Sequence, residues 1–220
     1  MANKEYQRVI DHICQEIYDG KLGMGERLPT ERSLAEQMGV GRGCVREAMR
    51  IMETFGMVEC RQGSGNYVVC RMSEPISEIF SMMLLLGATN MNDVKEFRME
   101  LDKQACRALA AREDRVQIAD ELSAILDRAP KGDLAREIDM DAQFHRALLQ
   151  LENNRVWMTI AEAILPVYRR EIRDTLLHMD HEQADITYER HRQICEGIRN
   201  GAYEACERAI EEHYSLYDTD

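Results

Sequence analysis

The sequence predicts a mainly α-helical protein in two parts, and three patterns carry that reading. Apolar residues recur at helical spacing through almost the whole chain. A single short stretch, 58–70, instead alternates around a glycine-rich turn. After it no strand-like alternation returns, and Gly, Asn and Pro punctuate six or seven helical segments. The expected fold is therefore a small helical unit closed by a β-hairpin, followed by an all-α bundle.

The elements follow in order. Tyr6, Val9, Ile10, Ile13 and Ile17 repeat at helical spacing and define a first helix that ends near Gly20. Thr30, after Pro29, is placed to cap a second helix through Met38, and Gly39 suits the left-handed residue that ends it. A third helix runs from about Arg42 to Phe55 and closes at Gly56. Helix, short glycine-bearing turn and helix is the helix-turn-helix pattern. Val58–Arg61 and Asn66–Cys70 then flank Gln62, Gly63, Ser64 and Gly65 as a hairpin, or wing. The chain divides into 1–71, a winged helix-turn-helix; 72–77, a linker marked by Pro75; and 78–220, the helical domain. The helices expected there are Ile76–Leu86, Met91–Arg112, Arg115–Ala129, Asp133–Leu151, Arg155–Leu177, Glu182–Arg199 and Ala202–Tyr217, with Pro166 kinking the fifth.

The third helix has two faces. Val45, Ala48, Met49 and Met52 fall on one side. Arg42, Arg46 and Arg50, four residues apart, fall on another. By itself such a stripe is an ordinary solvated face with Arg–Glu pairs. Behind a helix and turn and ahead of a Gly-rich hairpin, it offers cations to phosphates and guanine edges of double-stranded DNA.

Charge distribution agrees. The net charge of −12 is unusual for a nucleic-acid binder. Residues 1–70 carry 9 Lys and Arg against 10 Asp and Glu, whereas 71–220 carry 19 against 30. The acid is in the second part, which discourages non-specific adhesion to DNA. Seven cysteines without a C-x-x-C spacing argue against a disulfide framework or a Cys-rich zinc site. With no signal peptide and no long apolar run, a soluble cytoplasmic protein without membrane contact is expected.

In the helical part, polar residues stand where apolar ones belong. Asp141 and His145, one turn apart, lie inside the stripe of Leu134, Ile138, Leu148 and Leu149. His191 sits amid Thr187, Ile194, Cys195 and Ile198, and His213 amid Cys206, Ala209, Leu216 and Tyr217. If the chain reverses at Asn200 and Gly201, His191 and His213 both lie ~13–18 Å from the turn and meet at similar depth. Any one of these histidines alone reads as a hydrogen-bonded core residue. One carboxylate and three imidazoles turned inward together read as a site for a divalent transition metal, zinc foremost, with nickel, iron or manganese as alternatives. His12 is off its apolar face; His178 and His181, at a helix end, read as surface residues, with His178 the fallback ligand. Arg98, within the arc of Val94, Phe97, Leu101, Ala105 and Ala108, is an inward cation. It pairs either with an acidic neighbour or with the carboxylate of a small effector. Arg169, Arg170 and Arg173 beyond Pro166 are further effector candidates, and Met82 through Leu86 reads as core or dimer packing.

These residues carry a family resemblance. Leu28 to Arg32, Leu34, Ala35, Gly39, Val40, Arg42, Val45 to Ala48, Gly56 and Gly63 to Gly65 resemble the winged-helix signature of the GntR family of bacterial regulators. The resemblance implies that Arg32, Arg42 and Arg46 contact DNA and that the turn at Gly63 reaches the minor groove. The chain departs from the signature at Gly41, where the family usually has Ser or Thr, and at Gly43 and Cys44, where Thr is frequent. Asp141, Phe144, His145 and Leu148, then His191, Ile194, Ile198 and His213, resemble the FCD ligand-binding domain of FadR-type regulators. So do Arg98, Glu100, Leu101, Ala105, Ala108, Ala110 and Ala111. In that resemblance Asp141, His145, His191 and His213 match the metal-binding positions. The expected protein is a homodimeric transcription regulator, a repressor in the commoner case, controlled by a small organic or sugar acid. A regulator that senses the metal itself is one alternative. A metal-dependent enzyme is another, but no extra general base and no paired Glu-x-x-His repeats support it.

Overall fold

The computed structural model describes the backbone of residues 2–128, 134–178 and 181–216, with side chains over most of that range. The chain divides into two compact units between Ile76 and Ser77.

In the first unit, α1 (Ala2–Tyr18) packs on α3 (Arg42–Thr54), with α2 (Glu31–Met38) beside it. Thr30 caps α2 by accepting from the Ser33 N–H at 3.2 Å, and Gly39 ends it at φ 64°. Gly41 caps α3 without a side-chain hydrogen bond. β1 (Val58–Arg61) and β2 (Gly65–Val68) pair antiparallel, with Val58 opposite Val68 and Arg61 opposite Gly65. Residues 25–28 add to the free edge of β2, since Leu28 N–H donates to Asn66 O and Val68 N–H to Glu26 O. Val9, Ile13, Leu34, Val45, Ala48, Met52, Val58 and Val68 make the core. Gly56, at φ 69°, is required by space as well as by angle, because a Cβ there would stand 2.5 Å from Arg71 O.

α4 (Ser73–Leu85) runs across that division, and the second unit is a helical bundle of its remainder with α5 (Met91–Ala110), α6 (Arg115–Leu126), α7 (Leu134–Glu152), α8 (Arg155–His178), α9 (His181–Asn200) and α10 (Tyr203–Ser215). α4 starts three residues earlier than periodicity predicts, so most of the expected linker is helical. Pro75 does not prevent this because it is the third residue of the helix, where its missing N–H has no partner to lose. α8 runs through Pro166 as a single helix. α5 opens with a capping box, Asn90 accepting from Asp93 N–H and Asp93 accepting from Asn90 N–H.

α5, α7, α9 and α10 enclose the site, with α6 behind α9. Leu101, Leu109, Leu122, Phe144, Leu148, Ile194 and Ile210 are wholly buried between them. Truncating such a residue to Ala costs roughly 2–5 kcal/mol. α9 and α10 approach closely because Gly197 has no side chain; a methyl there would collide with Cys206 Sγ. The left-handed Gly201 (φ 66°) turns the chain between them. That close pairing sets His191 on α9 at the depth of His213 on α10.

Candidate nucleic-acid interface and metal centre

The α3 helix displays the two faces its spacing predicts. Val45, Ala48, Met49 and Met52 are buried, while Arg42, Arg46 and Arg50 are exposed. Arg32 on α2 and Arg42 on α3 line one concavity of about 330 Å³ with Ala35, Glu36 and Val40. Gly63 is at the exposed hairpin tip at φ 73° with open space around it. Acidic partners hold three of these arginines: Arg32 pairs with Glu36 at 2.9 Å, Arg46 with Glu31 at 3.5 Å and Arg50 with Glu47 at 3.0 Å. These are exposed pairs, weak enough for phosphates to compete with.

The second constellation is buried. His145 and Asp141 come from α7, His191 from α9 and His213 from α10. Their ligand atoms all lie within 4.8 Å of one another. His145 Nε2 is 3.1 Å from His213 Nε2 and 3.3 Å from His191 Nε2. Asp141 Oδ1 is 3.5, 3.3 and 3.6 Å from the Nε2 atoms of His145, His191 and His213. An ion bonded to N and O donors at ~2.0–2.2 Å holds tetrahedral neighbours ~3.3 Å apart. These five separations are all close to that length. Asp141 Oδ1 is also a buried carboxylate oxygen without a hydrogen bond among the described residues. Both observations fit a divalent transition ion, with Asp141, His145, His191 and His213 as its donors.

Around the donors lies a polar layer. Asp102 on α5 is 0% exposed; its Oδ2 accepts from Tyr214 O–H at 2.6 Å and stands 2.8 Å from His145 Nδ1, off the ideal N–H line. Arg98, one turn before Asp102 and 4% exposed, lies over the ring of Tyr168 at 5.0 Å. Its Nε has no hydrogen bond among the described residues. Arg98 and His145 border a cavity of about 10 Å³ with Leu149, Met158, Ala161 and Leu165.

The electrostatics are those of a closely coupled site. Burial alone depresses His145, but Asp102 and Asp141 outweigh it and lift its pKa to about 9. Burial, with the neighbouring imidazoles, keeps His213 well below its ordinary value, and burial also lowers His191. Burial works to raise the pKa of Asp141 and Asp102, yet His145 holds both carboxyls below the ordinary range, helped at Asp141 by His191 and His213 and at Asp102 by Arg98 and the Tyr214 hydroxyl.

The expected residues are thus placed unevenly. Asp141, His145, His191 and His213 come together, with Arg98 beside them. Phe97, counted in the same arc as Arg98, is 41% exposed; the buried face of α5 is instead centred on Val94, Arg98, Leu101, Asp102, Ala105 and Leu109. The Arg170 and Arg173 side chains lie outside the described residues, as do those of His178 and His181. Arg169 is surface-exposed and 3.8 Å from Asp139. Sequence reasoning missed Asp102 and Tyr214. The signal for Asp102 was present: it is four residues after an arginine already assigned inward.

Comparison with known proteins decides the class. The model of the gntR family of bacterial regulatory proteins matches residues 5–68, and that of the FCD domain matches 93–216. The chain is a GntR-family transcription regulator with an FCD domain. This regulator is 28% identical over 225 residues to the HTH-type transcriptional repressor NanR of Salmonella newport, covering 97% of this chain and 84% of that one. The NanR of Salmonella typhimurium matches equally, at 28% identity. Among solved structures, Streptococcus agalactiae GntR superposes with a TM-score of 0.71 at 26% identity, covering 96% of this chain and 97% of the other. The family and these relatives place the chain among DNA-binding regulators rather than enzymes. No described helix is long and apolar enough to cross a membrane.

Proposed function

We propose that this GntR/FCD regulator is a homodimeric repressor whose hold on operator DNA is controlled by a small organic or sugar acid bound beside a zinc ion. Asp141, His145, His191 and His213 would hold the ion, which would supply a Lewis-acidic anchor for the acid's oxygen atoms. Arg32, Arg42, Arg46 and Arg50 would contact DNA together with the hairpin at Gly63. Two such heads in a dimer fit a pseudo-palindromic operator.

The observation that carries the effector reading is the balance of buried charge. Among the described residues the buried charges here are Arg98, Asp102 and Asp141, since Arg146 and Glu162 at the cavity neutralise each other; with neutral imidazoles, a divalent ion and Arg98 would face those two carboxylates. One positive charge is left over in a buried site, and a carboxylate would neutralise it. Arg98 has the guanidinium fork that binds a carboxylate in two places. The acid must also favour one arrangement of the DNA heads over the other to act as a signal.

The test is a binding titration on the intergenic DNA beside the gene, with and without a panel of small hydroxy and sugar acids. A specific, salt-sensitive shift that one acid releases is expected. No specific shift, or one that no acid alters, would count against the reading.

The narrow cavity favours a second reading, in which the ion is itself the signal. About 10 Å³ holds about one water, so an acid has to open the site before it enters. If chelation alone switches operator binding across physiological metal concentrations, and no acid does, the sensor reading replaces the effector reading.

A further inference from the structure

We infer that Asp102 is a positioning residue of the metal centre, holding His145 with Nδ1 toward α5 and Nε2 toward the other donors, with Tyr214 holding Asp102 in turn. The inference rests on the metal reading above but concerns residues that donate nothing to the ion.

Asp102, fully buried on α5, accepts at Oδ2 from the Tyr214 hydroxyl at 2.6 Å. The same Oδ2 stands 2.8 Å from Nδ1 of His145. A buried carboxylate is costly without partners, and this one has His145 on one side and Tyr214 on the other. Nε2 of the same imidazole is the atom that approaches His191 Nε2, His213 Nε2 and Asp141 Oδ1. A carboxylate at Nδ1 favours the tautomer with its proton there, leaving the Nε2 lone pair for an ion and making that nitrogen a stronger donor.

The layout adds a consequence. Tyr214 follows the donor His213 directly on α10, so one helix supplies both a donor and the group that fixes Asp102. Arg98 is one turn before Asp102 on α5. An acid drawn to Arg98 therefore acts on the same helix that steadies His145. Asp102 is the joint between the two halves of the site.

The experiment compares the full-length protein with Asp102→Asn and Tyr214→Phe. Zinc affinity is measured by competition against a chromogenic chelator, and the absorption spectrum is recorded with cobalt(II) in place of zinc. Far-UV circular dichroism of the chelated proteins tests folding. Asp102→Asn is expected to weaken zinc binding about 10–100-fold and to alter the cobalt spectrum. Tyr214→Phe is expected to weaken binding less, in the same direction, and to add little to Asp102→Asn, since both act through one oxygen.

Zinc affinity within twofold of wild type in folded Asp102→Asn, with an unchanged cobalt spectrum, overturns the inference. If Asp102→Asn does not fold, Tyr214→Phe decides, and an unaltered affinity and spectrum there overturn it equally. A wild-type protein that takes up neither ion overturns the metal reading as well, which separates that failure from this one.

Discussion

Arg46 on α3 and Glu31 at the start of α2 face each other across the helix-turn-helix, Nε to Oε2 at 3.5 Å. The arginine at the middle of the exposed stripe is therefore partly neutralised, and a DNA phosphate would have to compete with Glu31 for it. Glu31→Gln is expected to raise operator affinity by about two- to fivefold at low salt, the range an exposed pair is worth. Arg46→Ala is expected to weaken binding by roughly tenfold or more and to flatten the salt dependence by about one phosphate contact. Fluorescence anisotropy over a salt series measures both. Unchanged affinity in Arg46→Ala would remove α3 from the interface.

How much of the fold and the site was legible in the sequence depended on whether a residue announced itself by spacing. Val45 and Met52 on one side of α3 and Arg42 and Arg46 on the other need only the helical period. Asp141 and His145 were equally plain, because two polar groups one turn apart inside an apolar stripe must both turn toward the core. His191 and His213 required a guess at the turn between α9 and α10. That guess holds because Gly201 turns left-handed and Gly197 lets the helices close. Asp102 has one cue, its place one turn after Arg98, but beside Leu101 in a highly charged helix that cue is outweighed by the solvated reading until the facing helices are known. Pro75 marks a linker by composition, yet in the first turn of a helix it costs no hydrogen bond, so α4 begins before it at Ser73.

Metal loading should release a proton. Asp102 and Asp141 keep His145 protonated to a pKa of about 9, against the opposing effect of burial, while His191 and His213 are lowered toward the neutral form. A ligating imidazole must be neutral. At pH 7 the incoming ion therefore displaces about one proton, and zinc affinity rises roughly tenfold per pH unit before levelling above the His145 pKa. Calorimetry in buffers of different ionisation enthalpy counts that proton directly. A pH-independent affinity between pH 6 and 8 would contradict the protonated state assigned to His145.

Arg98 should separate the two signals the site can receive. Arg98→Met keeps the bulk of the side chain over Tyr168 but removes the charge. It leaves Asp141, His145, His191 and His213, the group that could hold an ion, untouched. Zinc content and operator binding are expected to persist, while release by the acid effector falls by about tenfold or more, the worth of a charge-assisted pair of hydrogen bonds. His145→Ala is expected to lose both zinc and release while operator binding remains. Elemental analysis beside a DNA-release assay distinguishes the two. Arg98→Met that responds to the acid like wild type would place the acid elsewhere.

Gly41 offers a gain rather than a loss. It caps α3 with no side-chain hydrogen bond, at φ −67° and ψ 142°, an extended conformation open to any residue. A Cβ there meets no atom within 4 Å. In Gly41→Ser the hydroxyl can accept a backbone N–H from the first turn, worth a few tenths of a kcal/mol over glycine. The stiffer unfolded chain adds about 0.4–1 kcal/mol. The variant is expected to unfold at higher denaturant concentration, by about 0.7–1.3 kcal/mol in the transition of the first unit. Because the hydroxyl stands at the positive end of the helix beside Arg42, it is also placed to donate to a phosphate, and operator affinity should rise with stability. Denaturant titration and anisotropy on the same samples check the two effects. A more stable variant with unchanged affinity would mean that the start of α3 does not approach the DNA backbone.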